Sequence, residues 1–150
     1  MRSYCHYLSL LVLGCAAFAC AVQEADVAAY LTKGDYAGAI EAVSRSKVSK
    51  MEKDGVTGVL ILDGLADPGA TTKPPYTMAD GFARMERAAL RGRHQSVADL
   101  RAKFTVGINY QGRNRLMAPY RSLADCWQQV QAGTRNAAAC VALRKQLQIP

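Results

Sequence analysis

"PYTMADGF" spans residues 75–82 and "PYRSLADCW" spans residues 119–127, and the second repeats the first. With one gap, Pro-Tyr matches Pro-Tyr, Met-Ala-Asp matches Leu-Ala-Asp, and Phe82 matches Trp127. Downstream, "SVADLR" (96–101) answers "CVALRK" (140–145). Upstream, Gly64 stands twelve residues before Tyr76, and Gly107 thirteen before Tyr120. The period is 44 or 45 residues, too long for a simple hairpin and right for two helices plus a loop. A shorter trace recurs at "GDYAGAIEAV" (34–43), where Asp-Tyr opens another Ala-rich stretch.

Between these landmarks the apolar residues keep helical spacing. Met78, Phe82, Met85 and Ala89 form a stripe within 78–91, while Arg84, Arg87 and Arg91 face elsewhere. Val97, Leu100, Phe104 and Gly107 do the same in 94–107, as do Leu123, Trp127 and Val130 in 120–132. Residues 136–148 offer Cys140, Leu143 and Leu147. Breakers fill the connections: Lys33-Gly34-Asp35, Pro68-Gly69, Pro74-Pro75, Gly92, Pro119 and Gly133. "GVTGVLIL" (55–62) would suit a buried strand equally, but its helical neighbours favour a helix. The predicted fold is all-α, a short αα-repeat solenoid of about three helix pairs. The connections at 66–76 and 108–118 exceed the roughly 2–8 residues usual between paired helices, and long loops in such a stack project from one edge. "DPGATTKPP" should be extended and stiff, because each proline disfavours helix in itself and in the residue before it.

"ERAALRG" (86–92), followed by Leu100, Phe104 and Gly107, resembles the Sel-one-like branch of the tetratricopeptide-type helical repeats. In that family paired alanines and a glycine close one helix, and the next carries a large apolar residue, an aromatic and a glycine. Ala88, Ala89, Gly92, Leu100, Phe104 and Gly107 take those positions. The family's helix opening is echoed by Tyr120, Ala124 and Trp127, with Tyr120 in place of the expected acid. Asp35-Tyr36 with Ala39 matches a related opening. The resemblance covers about residues 34–147 and implies a binding scaffold, since such repeats mostly present surfaces to partners.

The first 21 residues have the parts of an export signal: Arg2, an apolar stretch from Leu8 to Phe18, and small residues at Ala19 and Ala21. The stretch is too short for a stable membrane span, which takes roughly 20 residues, and no later segment approaches that length. Cleavage after Ala21 leaves one domain over 22–150 with two cysteines, Cys126 and Cys140, an even number suited to an oxidising compartment. A rival cut would lipidate Cys15 in "VLGC" (12–15), and would strand Cys20 as an odd third thiol. Localisation is therefore expected to be exported, periplasmic or extracellular. The turn at Gly133-Thr134 places Cys126 and Cys140 seven residues to either side of Gly133, at nearly the same height on antiparallel helices. A disulfide between them is expected, against the alternative of two separate buried thiols.

Charge is uneven along the chain. Residues 84–121 carry nine Lys/Arg against Glu86 and Asp99, a balance of +7, whereas residues 22–83 balance to −3. In a cytosolic chain such a block would suggest nucleic acid; after an export signal an acidic protein, cell-wall polymer or lipid headgroup fits better. A merely solvated Arg-rich face is the plainer reading. The expected partner is an acidic protein, with no nucleic acid and no stable membrane span. Its expected contact surface is Arg84, Arg87, Arg91, Arg93, Arg113 and Arg115, with Tyr110.

Catalytic signals are weak. His94, Ser96 and Asp99 have the residue types of a triad, but Ser96 lies two residues from His94 and on another helix face. One histidine and two cysteines fourteen apart make a poor metal set. Asp63 and Asp67 could pair, although a solvated helix end is the simpler reading. "GVTG" lacks the length and lysine of a phosphate loop. Phe82 and Trp127 share a repeat position and read as core rather than as a ligand box. No catalytic residue, cofactor or metal is expected. The function expected is an exported, non-enzymatic protein-binding scaffold, such as a periplasmic inhibitor, immunity-type or assembly protein. The alternatives are a small cell-wall hydrolase with carboxylates drawn from several helices, or a binder of anionic glycan or lipid.

Overall fold

The computed structural model describes residues 21–106 and 118–150, with side chains from residue 26 onward within them. Residues 1–20 of the expected export signal (1–21), with Cys5, Cys15 and Cys20, lie outside the described residues, as do Gly107, Tyr110, Arg113 and Arg115. Seven α-helices and no strand make up the described residues: α1 (Ala21–Thr32), α2 (Tyr36–Arg45), α3 (Lys50–Ala66), α4 (Met78–Leu90), α5 (His94–Val106), α6 (Ala118–Gln131) and α7 (Ala137–Gln146). The fold class is all-α, and "GVTGVLIL" lies wholly within α3. Pro119 does not break a helix; it sits in the first turn of α6, where a missing N–H costs nothing.

Side-chain caps start several of these helices. Asp35 accepts from the Gly38 amide at the head of α2, Ser49 from Glu52 at α3, and Asn136 from Ala138 at α7. Thr77 and Asp80 cap α4 reciprocally, each side chain taking the other's backbone N–H. Three glycines end helices in the same way. Gly34, Gly92 and Gly133 have φ of 69°, 92° and 74°, a region in which a side chain would be strained. At each, the glycine amide and the next amide turn back to carbonyls of the last helical turn, as in Arg93 to Ala88 and Thr134 to Gln129, both at 3.0 Å. The result is three αα-hairpins, α1–α2, α4–α5 and α6–α7, with α3 between the first and second.

α3 carries the join between two cores. Leu60 and Ile61 pack with Tyr36, Ala39, Ile40 and Val43, whereas Leu62 packs with Met78, Phe82, Leu100 and Phe104; Leu65 touches both groups. α2 and α7 have ten residues each, too short to persist alone, so burial holds them. Each large apolar side chain withdrawn from water stabilises by about 1.5–3 kcal/mol. Gly58 of "GVTG" serves the crossing of α3 with α4. A Cβ at Gly58 would stand 2.7 Å from the Gly81 carbonyl oxygen and 2.9 Å from the Met85 nitrogen, so α3 and α4 approach closely only because Gly58 has none. Phe82 and Trp127 are fully buried, and Phe82 stacks on Phe104 with ring centroids 5.0 Å apart.

The loop from 67 to 77 does not project. It is strapped onto the α1–α2 turn: the Thr71 amide donates to the Gly34 carbonyl at 2.9 Å, and the Thr71 hydroxyl to that of Lys33 at 2.9 Å. The Thr72 hydroxyl donates to the Asp35 carboxylate, and the Tyr36 hydroxyl to Asp67 at 3.1 Å. Polar side chains in "DPGATTKPP" thus find partners across the chain, which proline stiffness alone does not indicate.

Candidate functional site

Arg84 and Arg87 on α4 and Arg91 at its C-cap recur at steps of three and four, which places them in one row beside the buried stripe. That row faces Asp54 on α3, whose side chain is only 6% exposed. Arg87 donates to it through Nη2 at 3.1 Å and Nε at 3.4 Å, Arg91 donates through Nη1 at 3.4 Å, and Arg84 stands 3.5 Å away. A buried carboxylate needs such partners, because an isolated charge out of water is expensive. Three guanidiniums around one carboxylate leave positive charge in excess, part of which is offset because Arg84 also acts on the Asp80 carboxyl. Arg84 is further fixed over the Tyr76 ring at 5.2 Å. Arg87 and Arg91 are 46% and 47% exposed, and most of their N–H donors have no protein acceptor among the described residues.

Arg93 behaves differently. Only 10% exposed, it donates to Glu52 at 2.8 Å and to the Ser96 hydroxyl at 2.9 Å, and lies 3.7 Å from Asp99. Of the expected contact arginines, then, Arg84, Arg87 and Arg91 converge on Asp54, Arg93 is a buried strut beside them, and Arg113 and Arg115 lie outside the described residues with Tyr110. Asp54 was not among the residues singled out from sequence. Its signal was present: Asp54, Gly58, Ile61 and Leu65 share one face of α3, so a carboxylate interrupts an apolar line.

The residues considered for chemistry are engaged elsewhere. Ser96 is held by Arg93, Asp99 by Gln95 and Arg93, and His94 is exposed at the start of α5. Burial pushes the Asp99 carboxyl up and the charge of Asp63 adds to this, against the Gln95 hydrogen bond and the charges of Arg93 and Lys103. Asp63 and Asp67 do not pair with each other: Asp63 meets Lys103, and Asp67 accepts from Tyr36 and from the Gly69 amide. A cleft of about 430 Å³ opens away from these groups, between α1 and α2, lined by Asp26, Tyr30, Lys33, Arg45 and Ser46 among others. Among the described residues no cluster of three or more metal-ligating side chains occurs, and no helix is long and apolar enough to cross a membrane. Guanidiniums stay protonated at any physiological pH, so the α4 row can bind and orient anions but cannot shuttle protons.

Cys126 on α6 and Cys140 on α7 lie at disulfide distance, with Sγ atoms 1.97 Å and Cα atoms 5.7 Å apart, both fully buried in the larger core. No family model, curated protein or solved structure matches the chain.

Proposed function

We propose that the chain is an exported, non-enzymatic scaffold of degenerate tetratricopeptide-type repeats that binds an acidic protein through the arginine row of α4. The observation that carries this reading is the excess of charge at Asp54: three guanidiniums on one carboxylate, two of them about half exposed. A preformed positive row speeds encounter with an acidic surface and lowers the entropy cost of fixing long side chains on binding. The repeat reading draws support from the three glycine-closed hairpins and from the burial of Phe82 and Trp127 at their shared repeat position. Export draws support from the cysteine pair, since such bonds persist in oxidising compartments.

Affinity capture tests the reading. Residues 22–150 and the variant Arg87→Gln with Arg91→Gln are immobilised and exposed to the same extract of the exported compartment. Glutamine is chosen because a glutamate beside Asp54 would repel it and unfold the site; Arg84 and the glutamine amides still serve Asp54. An acidic protein held by the wild type, released by salt and absent from the variant is the expected result. Equal retention by both, insensitive to salt, would move the interface away from α4.

A further inference from the structure

We infer that Asp54 is an internal competitor in the arginine site, and that the group the site takes from a partner is a carboxylate pair spaced about one helical turn apart. The inference rests on the reading of α4 as the contact surface and says what that surface recognises. The grip on Asp54 shows which geometry suits the row, since a planar two-oxygen group is already held by the forks of Arg87 and Arg91. Asp54 is buried on α3 and cannot swing out to solvent, so an arriving anion must share the two guanidiniums from their open side. With Arg84 turned also to Asp80, the open donors are those of Arg87 and Arg91, and each guanidinium can take one carboxylate. Arg87 lies in the last turn of α4 and Arg91, four residues on, is its C-cap, and Cβ atoms at that spacing stand about 5–6 Å apart. Acidic side chains one turn apart on a partner helix would match them one to one.

Asp54 then does two opposed things. It draws the guanidiniums into a row, and its negative charge opposes every further anion that shares them. Asp54→Asn keeps an oxygen acceptor in place and removes the opposing charge. It should therefore bind acidic ligand more tightly, whereas a purely structural Asp54 would give looser binding when changed.

The probe is a synthetic hexaglutamate peptide, titrated calorimetrically at low salt against residues 22–150. Relative to the wild type, Asp54→Asn should bind about threefold or more tightly, and Arg87→Gln with Arg91→Gln about tenfold or more weakly. Thermal melts confirm that each variant folds; if Asp54→Asn does not, Asp54→Ser takes its place with the same expectation. If the arginine variant loses binding but neither Asp54 variant gains it, the competitor inference fails while the surface reading stands. If all variants bind alike, the surface reading itself fails. Inorganic phosphate binding more tightly than hexaglutamate would overturn the carboxylate class.

Discussion

Arg144 on α7 grips Glu86 on α4 through two parallel hydrogen bonds, Nε to Oε1 at 2.5 Å and Nη2 to Oε2 at 3.0 Å, across 58 residues of chain. Both side chains are under 10% exposed, the guanidinium lies 5.5 Å from the Phe82 ring, and its Nη1 donates to the Ile149 carbonyl at 2.9 Å. One residue thus ties the last helix, the C-terminal turn and the middle of α4 together. Removing one partner strands a buried charge, so Arg144→Met should cost about 3–5 kcal/mol in urea unfolding. Replacing both, as Glu86→Leu with Arg144→Met, should cost clearly less than the single change. A single variant no worse than the double would mean that the pair is not buried as described.

The cysteine pair carries the second prediction. Peptide mapping without reduction should recover Cys126 joined to Cys140. Closing a loop of about 15 residues is worth roughly 3 kcal/mol in the chain-entropy model, so reduction should lower the unfolding midpoint substantially. Two alkylatable thiols in natively produced, folded protein would contradict the bond.

Acid should act with two signs. Hydrogen bonds from Thr77 hold the Asp80 carboxyl below its ordinary value, and bonds from Thr72 and the Gly38 amide do the same for Asp35. A carboxylate depressed by folding stabilises above its unfolded pKa, and that contribution is lost as pH falls through the lower folded value. Asp80→Asn should therefore flatten the loss of Tm in acid. Asp99 is raised, so its charged form opposes folding at neutral pH and that opposition is relieved on acidification. Asp99→Asn should raise Tm at pH 7, and its advantage should shrink as pH falls. Parallel Tm curves for wild type and both variants would refute the assigned directions.

How much of this was legible depends on what fixes each feature. Helical spacing and breakers placed α4 to α7 within a few residues, because apolar stripes and glycine stops are local. Gly34, Gly92 and Gly133 read as stops and do stop helices. α3 extends well past the ambiguous "GVTGVLIL" in both directions, and its Gly58 answers a crossing partner, Gly81, that no local pattern names. α1 offered no landmark from the repeat. At the site, the arginine row was visible as a row but read as facing solvent, because the carboxylate that organises it is about thirty residues upstream. Glu86 was visible as an acid within a basic block, and it shares the buried face of Phe82 and Ala89. Such a charge announces the need for a cation without saying that Arg144 supplies it.

Export is tested by mass. The A-x-A pattern ending at Ala21 should yield a chain beginning at Val22 in the producing cell. A lipidated species beginning at Cys15 would replace cleavage at Ala21, and retention of Met1 would contradict export.

The central claim is that α4 presents its arginines to an acidic protein. Amide hydrogen exchange, compared between the free chain and its complex with the captured partner, tests it most directly. Protection on binding should fall on the segment carrying Arg84, Arg87, Arg91 and Arg93 and on α3 around Asp54, and should weaken as salt is raised. Protection confined to the α1–α2 cleft or to α7, with that segment unchanged, would contradict it.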